Sequence, residues 1–243
     1  MNKLLVANWK LYPSTITEAL KLARASDHKN VVVCPPFSFL SSVKKVLKHA
    51  ALGAQDVFWE ELGPHTGEVS AAMLKSVGVQ YVIVGHSERR KMGETDEMVS
   101  AKVAAALIAG LKVILCVGEP LSVRRKGVAH AVRFVEKQLT KNLASTTHYS
   151  LLSTRLLIAY EPIWAVGTGK PDKPEETAHI VARIKHLLST RYSLLTPRVL
   201  YGGSVNAKNA KRFLRVTDGA LVGGVSLKHR DFREVVRVAA DMR

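Results

Sequence analysis

Eight times along this chain a short apolar run rich in β-branched residues is followed by a longer stretch with helical spacing, and that alternation leaves few folds open. The strand candidates are Leu4 to Asn8, Val31 to Cys34, Leu52 to Gln55, Tyr81 to Gly85, Lys112 to Val117, Leu156 to Glu161, Val199 to Gly202 and Gly219 to Val222. Helical stretches follow them at Thr15 to Ala25, Phe39 to His49, Ala71 to Val77, Glu97 to Ala109, His130 to Ala144, Glu175 to Thr190, Ala207 to Leu214 and Phe232 to Ala240. Near-continuous apolar strands belong to parallel sheets covered on both faces, and eight βα units close such a sheet into a barrel. The length of 243 residues is close to the roughly 250 over which that barrel forms. The expectation is an α/β protein, a single-domain (β/α)8 barrel spanning residues 1–243.

A barrel of this kind is packed inside and keeps its reactive groups where strands run out into loops at their C-terminal ends. Polar residues that end apolar strands therefore gain weight, and glycine and proline cluster after the strands here. Five strand ends stand out: Asn8-Trp9-Lys10, Gly85-His86-Ser87-Glu88-Arg89-Arg90, Tyr160-Glu161-Pro162, and the glycine-rich pair Gly202-Gly203-Ser204 and Gly223-Gly224. Glu161 closes the apolar strand Leu156 to Ala159, where an unpaired carboxylate is costly and readily takes up a proton, which suits a base. Glycine-rich turns present backbone N–H groups without bulk, which suits a phosphate.

Composition narrows the function classes. Hydrophobic residues make up 47% of the chain, charged residues 23%, and the mean hydropathy is +0.05, the profile of a soluble globular protein. The N-terminal run Met1 to Ala7 is too short for a signal peptide, and no segment approaches the roughly 20 apolar residues of a membrane span, so a cytoplasmic location is expected. Cys34 and Cys116 each end an apolar run, as buried reduced thiols do, and neither has metal-ligand spacing. With 36 basic against 20 acidic residues, the net charge is +16. A field for anionic substrates, a surface for nucleic acid or lipid, and an overall surface adaptation all fit that charge. The dispersion of Lys and Arg, without an aromatic-interleaved basic motif, favours a solvated surface over specific nucleic-acid binding.

The motifs in order, Asn8-Trp9-Lys10, Gly85 to Arg90, Tyr160-Glu161-Pro162-Ile163-Trp164-Ala165-Val166-Gly167-Thr168-Gly169-Lys170, Tyr201 to Asn206 and Leu221 to Leu227, resemble those of the triosephosphate isomerases across almost the whole chain. The resemblance implies a TIM barrel that interconverts glyceraldehyde 3-phosphate and dihydroxyacetone phosphate in glycolysis and gluconeogenesis, with no cofactor and no metal. It implies Glu161 as the base that moves a proton between adjacent carbons. His86 becomes a neutral donor to the substrate carbonyl at a helix start, and Lys10 a fixed positive charge beside the enediolate. Asn8 holds the substrate, Glu88 pairs with Lys10, and Gly167, Ser204, Gly223 and Gly224 supply phosphate donors.

By the same resemblance, Pro162 to Lys170 is a mobile lid that excludes water. The family is usually dimeric, so Trp59 to Glu68 corresponds to a loop that reaches into a neighbour, with Thr66 as the reaching residue. Two departures sit near that expected interface: Tyr12 stands where a small polar residue is usual, and His65 where an apolar one is. Two other functions compete. A catalytically silent, ligand-binding barrel would have no evident need for Lys10, His86 and Glu161 together, and an aldolase-like barrel would show a strand-end Schiff-base lysine or a metal cluster.

Overall fold

The structure, a computed structural model, describes residues 2–146, 154–193 and 197–242. Met1, the first residue of the N-terminal run, lies outside them. Eight strands form one closed, all-parallel barrel in chain order: β1 (Leu4–Asn8), β2 (Val31–Cys34), β3 (Ala51–Ala54), β4 (Tyr81–Val84), β5 (Lys112–Val117), β6 (Leu156–Tyr160), β7 (Arg198–Tyr201) and β8 (Gly219–Val222). Closure comes from β1 against β8, with Leu4 opposite Gly219 and Val6 opposite Leu221.

Period-two alternation sorts the strand residues into two cores. Leu4, Val6, Ile83, Ile114, Leu157, Leu200 and Leu221 fill the interior, while Leu5, Ala7, Val82, Val84, Val113 and Ile158 pack outward beneath the helices. Continuing the inward line of β1 leads from Leu4 and Val6 to Asn8, and that of β6 from Leu157 and Ala159 to Glu161. The two polar residues thus fall at the mouth of the barrel because the strands' own alternation carries them there. Gly53 is required inside, since a Cβ at that position would lie 2.5 Å from Cys34 Sγ.

The helices that cover the barrel are α1 (Ile16–Ala25), α2 (Leu40–Val46), α3 (Ala71–Ser76), α4 (Ser87–Lys91), α5 (Asp96–Ile108), α6 (Leu121–Arg124), α7 (Val128–Asn142), α8 (Pro174–Tyr192), α9 (Ala210–Val216) and α10 (His229–Ala240). Side-chain oxygens start several of them. Thr15 accepts from Glu18 N–H, Ser70 from Met73 N–H and Thr95 from Met98 N–H, each answering a donor the first turn leaves free. In α10, Phe232, Val235 and Ala239 are buried while Arg230, Arg233 and Arg237 face out, so part of the basic excess lies on an amphipathic solvent face.

Boundaries moved by a few residues. The third strand lies one residue earlier than expected, the second helix stops at Val46 rather than His49, and the last begins at His229 rather than Phe232. The single turn of α6 was not foreseen, because a turn so short carries no helical period. Both cysteines are free and buried. Among the described residues, no helix is long and apolar enough to cross a membrane, and no group of three His, Cys, Asp or Glu residues could hold a metal ion.

Candidate active site

At the C-terminal mouth of the barrel a cavity of about 280 Å³ is lined by Asn8, Lys10, His86, Glu161, Gly167, Ser204, Gly223 and Gly224, together with Gly202, Asn206 and Lys228. The loops after β1, β4, β6, β7 and β8 converge there. Glu88 belongs to the site through Lys10, whose Nζ donates to Glu88 Oε1 at 2.6 Å. Burial pushes the Glu88 carboxyl up, but its bond with Lys10 and the neighbouring His86 outweigh this and hold it below the usual range.

Lys10 adopts φ 55°, a left-handed conformation that costs a non-glycine residue of order 1–3 kcal/mol and persists only when its surroundings hold it. Here its N–H donates to Asn8 Oδ1 at 3.1 Å, its carbonyl accepts from Gln55 Nε2 at 2.9 Å, and Glu88 holds the ammonium. Opposite, Gly223 leaves space that a Cβ would take at 3.2 Å from Lys10 Cε. The strained backbone thus sets a cation against the cavity in one orientation.

His86 caps α4, and its Nδ1 accepts from Glu88 N–H at 3.2 Å. An acceptor at Nδ1 puts the proton of a neutral ring on Nε2. His86 therefore presents an Nε2–H donor to the cavity.

Glu161 is 2% exposed. Its Oε2 accepts from Ser87 N–H at 3.3 Å. Its Oε1 lies 3.3 Å from His86 Nε2, but the two are not aligned as a hydrogen bond, so Oε1 is a buried acceptor without a partner. A buried acceptor in that state costs free energy until a donor reaches it. Two glycines make its place: a Cβ on Gly118 would lie 1.7 Å from the Glu161 carbonyl oxygen, and one on Gly202 would lie 2.5 Å from its Cγ.

The segment expected as a lid contributes Val166, Gly167 and Gly169 to the lining. After the 3-10 turn Ile163–Ala165, Gly167 and Gly169 take φ of 71° and 72°, values that glycine reaches without strain. Gly169 N–H donates to Ser204 Oγ at 3.1 Å, and Ser204 Oγ donates to Ala165 O at 2.8 Å. Beyond the lid, Asp172 N–H donates to Tyr201 Oη at 2.9 Å.

Several contributors have no sequence signal of their own. Gln55, Gly118 and the N–H of Ser87 act on the expected residues from behind, and Lys228 adds a second cation to the lining. Only the glycine at 118, directly after a strand, could have been suspected. Thr66 sits exposed on the loop after β3, away from the cavity lining. The ends of that loop are tied by Phe58 N–H to Val69 O at 2.9 Å, and within it His65 pairs with Glu60 at 2.9 Å.

The family model described as triosephosphate isomerase matches residues 3–239. Among similar curated proteins, the triosephosphate isomerase of Thermoanaerobacter sp. (strain X514) is 43% identical, with 96% of this chain and 98% of that protein covered. The triosephosphate isomerase of Dictyoglomus thermophilum is 41% identical, with 97% and 98% covered. That of Geotalea uraniireducens is 42% identical, with 98% and 99% covered. Identity at this level, extending over the barrel and all of the loops that converge on the cavity, makes this chain a member of the triosephosphate isomerase family.

Proposed function

We propose that the cavity interconverts D-glyceraldehyde 3-phosphate and dihydroxyacetone phosphate, as a cofactor-independent aldose–ketose isomerase of glycolysis and gluconeogenesis. The observation that carries this reading is the unpartnered Oε1 of Glu161 beside the Nε2–H of His86, with the Lys10 ammonium on the same cavity.

Glu161 takes a proton from the carbon next to the substrate carbonyl, and the electron pair moves onto the carbonyl oxygen. His86 Nε2–H and Lys10 stabilise that oxygen as charge develops, a preorganised contribution that needs no rearrangement at the moment of reaction. A proton passes between the two oxygens through His86, and Glu161 returns its proton to the adjacent carbon. Substrate and product have the same atoms, so no co-reactant is needed. Asn8 orients the substrate and Glu88 holds Lys10 in place.

The phosphate binds backbone N–H groups at Gly167, Ser204, Gly223 and Gly224. Because the Ser204 hydroxyl is engaged by the lid, that residue serves the phosphate through its main chain. The enzyme works in the cytoplasm as a homodimer in which the Thr66 loop enters the neighbouring subunit and steadies Asn8 and Lys10. Two observations support the assembly: most of residues 60–68 are exposed, and Leu11 and Tyr12 beside Lys10 are 91% and 58% exposed.

A coupled assay with the two triose phosphates, run on the native chain and on Glu161→Gln, tests the chemistry. The native chain interconverts them and the variant loses most of its kcat; a native chain without turnover overturns the reading. Light scattering over a dilution series tests the assembly, which a monomer at micromolar concentration would sink.

A further inference from the structure

The lid leaves the barrel and returns to it through two segments that meet on one buried side chain. Arg124, the last residue of α6, is 8% exposed in its side chain. One of its terminal nitrogens donates to Glu119 Oε1 and to Tyr160 Oη, both at 3.2 Å. The other donates to Asp172 Oδ1 at 2.5 Å and to Glu176 Oε2 at 2.6 Å. At the outgoing end, Trp164 Nε1 donates to Glu119 Oε1 at 3.1 Å, and the Trp164 ring centre lies 5.4 Å from the guanidinium carbon. At the returning end, Asp172 N–H donates to Tyr201 Oη, and the Tyr201 ring stacks on Phe213 at 4.0 Å. Trp164, near the start of the lid, is thus linked to Arg124 through Glu119 and by its ring, and Asp172, two residues past the lid's end at Lys170, is bonded to the same planar cation directly.

We propose that Arg124 and Asp172 form a latch that couples the two ends of the lid, with Arg124 as a positioning residue for the isomerisation. This rests on the isomerase reading above. The geometry needs arginine, because a guanidinium offers its donors in a rigid fork that serves carboxylates on opposite sides at once, which an ammonium cannot match. Three carboxylates share the one cation. Burial pushes Glu119 and Asp172 up, and Arg124 opposes that rise in both. Withdrawing Asp172 from Arg124 would leave a buried carboxylate without its counter-charge, and withdrawing Trp164 would take a donor from Glu119 and an aromatic face from the same guanidinium, so the two ends favour moving together. Asp172 also has a competing structural role at the start of α8, where its Oδ1 accepts from Lys173 N–H and its Oδ2 from Thr177 Oγ1.

The two roles separate by experiment. A loosened lid admits water and lets the enediolate break its C–O bond to phosphate, the electron pair leaving with inorganic phosphate instead of isomerisation finishing. Asp172→Asn, Arg124→Lys, the double variant and Thr177→Val are compared with the native chain for kcat/KM, for inorganic phosphate released per turnover, and for thermal unfolding. Asp172→Asn and Arg124→Lys each lower kcat/KM by on the order of 10- to 100-fold and raise phosphate release severalfold. The double variant falls little further, since the two act through one contact. Thr177→Val, which touches only the structural role, keeps phosphate release at the native level. Unchanged phosphate release in Asp172→Asn and Arg124→Lys overturns the latch whatever happens to unfolding, as does an equal rise in Thr177→Val. A native chain that does not interconvert the trioses sinks the isomerase reading and the latch with it; native turnover with unaltered partition sinks the latch alone.

Discussion

Replacing Gly202 by alanine probes the position of Glu161 without touching its chemistry. Gly202 is not among the positive-φ glycines, so alanine is compatible with the backbone and the added methyl is the whole perturbation. Its Cβ would fall 2.5 Å from Glu161 Cγ and 3.3 Å from Oε1. Carbon atoms settle at about 3.5–4.0 Å, so the Glu161 side chain must give way by roughly 1 Å. It has little freedom to do so inertly, because Glu161 is 2% exposed and its Oε2 is held by Ser87 N–H. A displacement of about 1 Å at a reacting group costs on the order of 10²-fold in rate, or about 2.7 kcal/mol at about 1.36 kcal/mol per decade. The coupled triose phosphate assay should therefore show Gly202→Ala losing kcat by about two decades with a smaller change in KM, since the atoms nearest the added methyl are all those of Glu161. Native kcat in a folded Gly202→Ala would refute the reasoning, and a loss confined to KM would show that the methyl acts on substrate binding instead.

Three other outcomes follow from the same structure. Lys102 is 2% exposed and donates to Asp56 and Glu94, both buried; Lys102→Met should cost about 3 kcal/mol in denaturant unfolding because it leaves the two carboxylates sharing the half-exposed Arg89, and a loss below about 1 kcal/mol would rank the cluster with surface pairs. At Asp27, burial pushes the carboxyl up, but the N–H groups of Ala50, His49 and Lys48 outweigh it and hold it low; its stabilisation is complete above an unfolded value of about 3.9 and is lost as pH falls through the lower folded value. Asp27→Asn should flatten that acid limb of the stability profile, and an unchanged slope would contradict the assignment. With a net charge of +16 and a dianionic substrate, kcat/KM should decline as salt rises past about 0.1 M, where the Debye length is about 10 Å; a flat dependence would remove steering as a role for the charge.

The chain was legible wherever a local period carried the information. Short apolar runs rich in β-branched residues gave the strands, the count of eight gave closure, and the rule that strands open into loops at one rim picked out Asn8, His86 and Glu161. Glu88 and Lys10 were paired by resemblance, since 78 positions separate them and nothing local links the two. Lys102 read as one basic residue in a dispersed set, yet it is buried in the middle of α5, because its partners Asp56 and Glu94 come from the loops after β3 and β4.

By itself, then, the sequence determined a closed α/β barrel, the rim on which the cavity opens, and the residue types that line it. These follow from hydrophobic alternation, which acts between near neighbours and survives in a string of letters. The tertiary structure alone decided which oxygen of Glu161 is left without a partner, which tautomer Glu88 N–H selects at His86, and that Arg124 gathers Glu119, Asp172 and Glu176 around one guanidinium. Those are questions of distance and direction between side chains whose separation in sequence bears no relation to their separation in space, and only the closed barrel brings them within hydrogen-bond reach.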